Sequence, residues 1–183
     1  MPCAVSKDVI DAIIGYHGHY CPGLAIGIRA AELALRELGQ PEDADMLVVS
    51  ETDMCGVDAI QWLTGCTLGK GDFMLRDWGK MAFTFYDRRA GRGLRAVLRP
   101  EARSGGDASA PDSRETVRDR LMDLDLDEVF AVSPVIDPPA RRAAVLQSLR
   151  CESCGEMVME SRSRRFGGKI LCIPCFGLVE QKI

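Results

Sequence analysis

The sequence contains no run of about 18 apolar residues, the length a membrane span needs, and Met1 to Asp11 hold no apolar stretch of signal-peptide length. These absences lead us to expect a cytoplasmic protein without a membrane role. Positive charge is not in excess either, the formal net charge being -4. Histidine is scarce, with two residues in 183. Nor is there a composition that marks disorder or a fibrous repeat: 46% of residues are hydrophobic and 27% charged, ordinary values for a globular chain. A chain of 183 residues suffices for one domain of ordinary size plus a small satellite.

The charge is unevenly spread. Residues 1–140 carry 15 Lys and Arg against 23 Asp and Glu, whereas residues 141–183 carry 8 against 4. The acidic larger part is therefore a poor candidate for nucleic-acid binding, and only the basic C-terminal segment stays open to it.

Asp8 to Tyr16 has the 3.6-residue spacing of an amphipathic helix, and Pro22 is suited to open a second that runs to Gly39. Met46 to Ser50 reads as a buried strand and Gly56 to Thr64 as a helix closed by Gly65. Three strands are expected over Phe73–Asp77, Met81–Asp87 and Leu94–Leu98, with Gly91 and Gly93 marking a hairpin. Pro100 to Ser113 is polar and small, the composition of a mobile loop. A helix near Glu115–Met122 and a returning strand over Glu128–Val135 complete an α+β domain, in which N-terminal helices pack on a mixed sheet. The expected division is a pocket domain over residues 1–139, a linker helix over 140–150 and a zinc ribbon over 151–183.

Of eight cysteines, four form the pairs Cys151-Glu-Ser-Cys154 and Cys172-Ile-Pro-Cys175, separated by 17 residues. Four thiolates at this spacing give zinc a closed tetrahedral shell. Two disulfides or one iron centre would use the same set, but the missing secretion signal favours zinc. A segment this short has little core, so the metal would supply much of its folding energy.

Both histidines lie in His17-Gly-His19-Tyr-Cys21, beside one expected helix start, and Cys55 opens another. A thiol at a helix N-terminus is expected to have a lowered pKa, which favours the thiolate that binds metal or attacks electrophiles. The alternative is an interior or capping His17, with Cys21 and Cys55 as small buried apolar residues. Cys66 reads as a core residue that could face the same cavity, and Cys3 has no pattern. Gly65-Cys66-Thr67-Leu68-Gly69-Lys70-Gly71 could hold an anion, although the order is not that of a P-loop and a plain turn reads as well. Lys80 follows Asp77-Trp78-Gly79 and could add charge to the same face.

The ordered set His17-Gly-His19-x-x-Pro22-Gly-Leu-Ala-x-Gly27-x-Arg29, Cys55-Gly-Val-Asp58-Ala-Ile-Gln61, Thr64-Gly-Cys66-Thr-x-Gly69-Lys70-Gly and Asp77-x-Gly79-Lys80-Met-Ala resembles the FmdE family of formylmethanofuran dehydrogenase proteins over nearly the whole chain, departing in a polar insertion near Ser104–Ser113. The resemblance implies an α+β core similar to that of dehydrogenase catalytic domains of the glyceraldehyde-3-phosphate dehydrogenase type. It also implies a zinc-ribbon appendage, a homodimer, a pocket lined by His19, Cys21 and Cys55, and a place in anaerobic one-carbon metabolism.

Three functions follow as expectations. In the first, His17, His19, Cys21 and Cys55 hold a second ion, zinc or iron, with Cys55, His19 and Lys70 as catalytic candidates and Lys70 or Lys80 receiving an anionic substrate. In the second, the ribbon's Arg162, Arg164, Arg165 and Lys169 bind nucleic acid or a protein partner. In the third, the pocket delivers metal or cofactor to a molybdenum or tungsten enzyme. An oxidoreductase-associated accessory protein fits either the first or the third.

Overall fold

The computed structural model describes residues 2–40, 45–104, 112–139 and 146–179. The chain divides into two compact units, Met1–Ala140 and Arg141–Ile183.

The first unit begins with α1 (Lys7–His17), whose N-terminus is capped by the Ser6 hydroxyl accepting from the Val9 amide. A short link leads to α2 (Pro22–Leu38), and β1 (Met46–Ser50) and α3 (Gly56–Thr64) follow. Next come β2 (Phe73–Leu75), β3 (Ala82–Asp87) and β4 (Arg92–Leu98). One turn of 3-10 helix at Pro100–Arg103, then α4 (Arg114–Asp123), α5 (Leu126–Val129) and β5 (Phe130–Val135) close the unit. The polar loop expected to start at Pro100 therefore opens as a helical turn, and residues 105–111 lie outside those described.

The sheet runs β2-β1-β3-β4-β5, with β1 and β2 parallel and the other pairs antiparallel, so it is mixed. Register follows burial: Val48, Phe85 and Leu94 align across β1, β3 and β4 and face one core. Pro134 lies in β5, an edge strand, where a missing amide costs no ladder bond on the open side. Helix α2 is apolar nearly all round and is buried accordingly, packing against α3, α4, β3 and β4. This is the α+β arrangement of helices on a mixed sheet.

Two ion pairs tie the elements together. Arg29, wholly inaccessible on α2, donates from Nη1 to Met122 O at 3.0 Å and from Nη2 to Leu124 O at 2.7 Å. Its Nε lies 3.3 Å from Glu32, whose other oxygen accepts from the Ala4 amide. The guanidinium thus fastens the end of α4 to the central helix, and Glu32 fastens the N-terminal segment. On the sheet, Arg95 of β4 reaches past β3 to grip Glu51 in two bonds of 2.7 and 2.8 Å, which holds that carboxyl below its ordinary range. Glu51 O also accepts from Trp78 and Lys80 amides, so the end of β1, where the chain departs for α3, is held firmly.

The second unit contains two small sheets, β6 (Ser148–Arg150) with β7 (Met157–Met159), and β8 (Ser163–Phe166) with β9 (Lys169–Cys172), followed by α6 (Ile173–Gly177). The expected linker helix is corrected at its end: Ser148–Arg150 pairs with Met157–Met159 as a strand, and residues 140–145 lie outside those described. The physical reason is the ribbon itself, whose first knuckle needs an extended entry so that the Cys151 amide can donate to Glu156 O.

Replacing Arg29 by Met is expected to destabilise the first unit by about 3–5 kcal/mol, because Glu32 would keep a buried charge without its counterion. Equilibrium urea unfolding measures this, and a variant as stable as the parent would show the pair to be dispensable.

Candidate metal centres

His17 ends α1 because Gly18 adopts φ 93°, a left-handed cap whose amide bonds to Ile14 O at 2.7 Å. The chain reverses there and brings Cys21 to the N-cap of α2, where its sulfur accepts from the Leu24 amide at 3.4 Å. Cys55 occupies the N-cap of α3 in a helical conformation and makes no capping bond through its sulfur.

The two helix starts meet at their glycines. A Cβ on Gly27 would stand 2.1 Å from Gly56 O, and one on Gly56 would stand 2.9 Å from Gly23 O. No side chain fits between these backbones. A Cβ on Gly23 would touch Cys55 Cβ at 3.2 Å and both Cys21 and Cys55 sulfurs at 3.7 Å, so the close crossing delivers the two thiols to one place.

One ligand atom from each of His17, His19, Cys21 and Cys55 lies within 4.8 Å of the others. The imidazole rings of His17 and His19 have centroids 4.5 Å apart. Asp58, in the first turn of α3, accepts from His17 Nδ1 at 2.7 Å, which fixes the proton on that nitrogen and leaves the lone pair on Nε2. That Nε2 is buried without a hydrogen-bond partner, and the His17 side chain is only 10% exposed. A buried acceptor in that state carries a desolvation cost that a metal ion removes.

Burial pushes the Cys55 thiol up, and its bond and charge interaction with Cys21 push it further. This corrects the lowered pKa expected from the helix terminus: the sulfur makes no capping bond to the amides, so desolvation and the neighbouring thiol dominate. Two thiols crowded in this way become thiolates together only with a cation between them. The donor set of two imidazoles and two sulfurs is the nitrogen and sulfur chemistry of zinc or iron, and the residues fit such an ion.

The other expected residues lie apart from this cluster. Lys70 donates from Nζ to Gly65 O at 2.6 Å and pairs with Asp72 at 3.3 Å. Its ammonium closes the glycine-rich loop on itself, which favours the plain-turn reading over an anion site. Lys80 lies over the Trp78 ring at 5.9 Å. Cys66 is a core residue whose thiol is pushed up to about 11, chiefly by burial, and Cys3 is likewise pushed up to about 11. Asp58 had no role assigned from sequence. Its signal was an acid three residues after Cys55 in a first helical turn, where it faces the same side as the helix start.

In the second unit the sulfurs of Cys151, Cys154, Cys172 and Cys175 also lie within 4.8 Å of one another. Amides of Cys154, Cys172 and Ser153 lower the Cys151 thiol to about 6. The Glu156 amide favours a thiolate at Cys154, but the Cys151 sulfur beside it outweighs that and leaves Cys154 pushed up to about 12. One thiolate forms readily and the next is opposed by it, the pattern of four ligands arranged for a divalent ion. Around them Leu171 and partly buried Val158, Phe176 and Val179 make a minimal core, with Phe166 set edge-on to Phe176 at 5.9 Å.

Comparison with known proteins gives two family matches. The FmdE model, described as molybdenum formylmethanofuran dehydrogenase operon, matches residues 16–131, and the prokaryotic dksA/traR C4-type zinc finger matches residues 146–181. The second match and the four-sulfur cluster make the C-terminal unit a zinc finger with a structural zinc site. Among solved structures, an FmdE-like protein of tungsten formylmethanofuran dehydrogenase from Syntrophus aciditrophicus is similar with a TM-score of 0.69 and 25% identity, over 93% of this chain and 91% of that one. A protein of Archaeoglobus fulgidus described as a probable S-adenosyl-L-methionine-binding protein is 30% identical over 190 residues, covering 88% of this chain and 50% of the relative. The chain thus spans about half the length of that curated relative.

Two substitutions probe the site from outside its ligands. Gly27→Ala forces α2 and α3 apart, so it should cost roughly 1–3 kcal/mol or more and weaken metal uptake by the His and Cys cluster. Thermal unfolding together with chelator competition measures both, and parental values in both would contradict the packing argument. Asp58→Ala should lower pocket metal affinity by about 10- to 100-fold while sparing the zinc finger. An unchanged chelator competition curve would show that Asp58 does not orient His17.

Proposed function

Because this chain belongs to the FmdE family, we propose that its first unit is a metal-binding module in which His17, Cys21 and Cys55 hold a second ion, with His19 as the exposed fourth ligand. The observation that carries this reading is the buried, unpartnered Nε2 of His17, aimed among two thiols and a second imidazole by the Asp58 carboxylate. In its cellular role the module serves anaerobic one-carbon metabolism, as a metal-dependent catalyst or as an accessory that supplies a molybdenum or tungsten enzyme.

A divalent ion there supplies Lewis acidity. The chain supplies the rest. Cys21 and Cys55 contribute negative charge from two helix starts, where the positive ends of α2 and α3 offset part of it. Asp58 holds the His17 proton on Nδ1 and so keeps Nε2 a donor to metal. His19 is exposed on the short link after Gly18, free to leave a coordination position to an incoming group or to take a proton from it. Cys55 and His19 are thus the catalytic candidates, and Lys70 serves its own loop instead.

A second reading rests on the zinc finger. Arg162, Arg164, Arg165 and Lys169 are all exposed on or beside β8 and β9, and a basic ribbon of this kind binds nucleic acid or an acidic protein. Binding to duplex DNA that weakens steeply with added salt would support it.

Elemental analysis of anaerobically purified full-length protein tests the first reading directly. Two ions per chain are expected for the parent and one for Cys55→Ala, with the circular dichroism spectrum retained. A single ion in both proteins would reduce the metal content to the zinc finger and remove the proposed site.

A further inference from the structure

Beside the His and Cys cluster lies a cavity of about 330 Å³ lined by Tyr16, Gln61, Trp62, Thr67, Leu68 and Gly69. It belongs to the same helical faces as the cluster. Tyr16 precedes His17 at the end of α1, and Trp62 stands one turn along α3 from Asp58, whose carboxylate is 2.7 Å from His17. Three of its large side chains are unusually open to solvent: Tyr16 is 60% exposed, Leu68 55% and Trp62 46%. The Tyr16 and Trp62 rings are 5.4 Å apart and tilted by 46°, forming one aromatic wall.

The opposite wall is preformed. The Leu68 amide donates to Gln61 Oε1 at 3.2 Å, the Thr67 amide to Asp72 Oδ1 at 2.7 Å, and Lys70 ties back to Gly65 O. Leu68 is therefore held out toward solvent by a loop that is bonded internally at several points. No lining side chain is charged.

From this geometry we propose that the cavity framed by Tyr16, Trp62 and Leu68 binds the planar, uncharged heteroaromatic ring of a small molecule whose polar end reaches the ion held by His17, Cys21 and Cys55. The proposal rests on the metal reading above and adds the class of ligand. Ring size is set by the volume, which is at the lower end of small-molecule pockets, roughly 300 Å³ upward. Neutral aromatic and aliphatic walls favour a flat π-system without charge, bound by stacking and by burial of Leu68. Three side chains are too small an area for a stable protein partner, which needs about 800 Å² on each side. The metal cluster supplies what the cavity lacks, a polar anchor within about one helical turn.

Trp78→Phe leaves Trp62 as the sole tryptophan of the two in the chain, so its indole N–H signal in nitrogen-15 NMR reports the cavity in the full-length protein. The probes are a set of uncharged bicyclic heteroaromatic fragments carrying one carboxylate or hydroxyl tail, and their saturated, non-planar analogues. The heteroaromatic fragments are expected to shift the Trp62 signal saturably and the analogues to bind roughly tenfold more weakly or worse. With cobalt(II) loaded, signals of the bound fragment should broaden, the tail most. Trp62→Ala should abolish binding without changing metal content, whereas His17→Ala should retain binding and lose the broadening.

Absence of any shift at Trp62 in protein that holds two ions overturns the proposal and leaves the metal reading standing. Binding without broadening in the cobalt form separates cavity from cluster and overturns it too. A Trp62 signal that moves with protein concentration alone assigns the wall to a second copy of this chain, against the proposal. Protein with one ion that still shows the Trp62 shift fails the metal reading while recording the ring site.

Discussion

The first unit depends on a contact with no side chain in it. Gly27 and Gly56 bring the backbones of α2 and α3 so close that a Cβ on the former would sit 2.1 Å from a carbonyl oxygen. Everything at the metal cluster is downstream of that approach. The N-caps of both helices are cysteines, so bringing the helix starts together brings the thiols together, and the left-handed turn at Gly18 folds His17 and His19 over them. The same crossing aims Asp58 at His17. Holding the crossing in place falls to the wider fold: Arg29 locks α2 to the end of α4, and the Arg95–Glu51 pair fixes the strand end from which the chain reaches Cys55.

The two sulfur clusters of this chain are different physical objects. In the zinc finger all four donors are thiols, and the surrounding core is three buried residues with a few partly buried neighbours, two of the three being the ligands Cys151 and Cys172. Metal and fold are inseparable there, since little apolar surface is available to hold the knuckles together without the ion. The first unit has its own extensive core of buried apolar residues on α2 and the sheet, so its architecture does not need an ion. A site that the fold does not depend on can gain and lose ligands without unfolding, which is the condition for exchange or catalysis.

Much of this was legible in the sequence because it was written in local signals. The spacing of Val9, Ile10, Ile13 and Ile14, the Pro22 start and Gly39 stop, and the alternation along Met81–Asp87 each act within a few residues, and the corresponding elements are present. Two Cys-x-x-Cys knuckles similarly need no tertiary knowledge. What stayed hidden depends on pairings distant along the chain. Arg29 meets carbonyls more than 90 residues away, and Asp58 meets His17 across 41. The Cys55 thiol was misjudged for a related reason: helix direction is readable from sequence, but burial against Cys21 and the absence of a sulfur cap are not. Lys70 looked like an anion-binding cation because its partners, a loop carbonyl and Asp72, are visible only once the loop has closed.

The distribution of exposure within the first cluster then carries a mechanistic consequence. Cys21 is buried, His17 nearly so and Cys55 partly, all three on helix ends that the glycine contact and the core hold rigidly, whereas His19 is exposed on a short link between helices. Displacing any of the first three would require moving a helix. Displacing His19 requires only a side-chain rotation. The proposed ion therefore has three fixed protein ligands and one exchangeable one, a difference in kind from the zinc finger, and the exchangeable position lies on the solvent side where a small molecule can arrive.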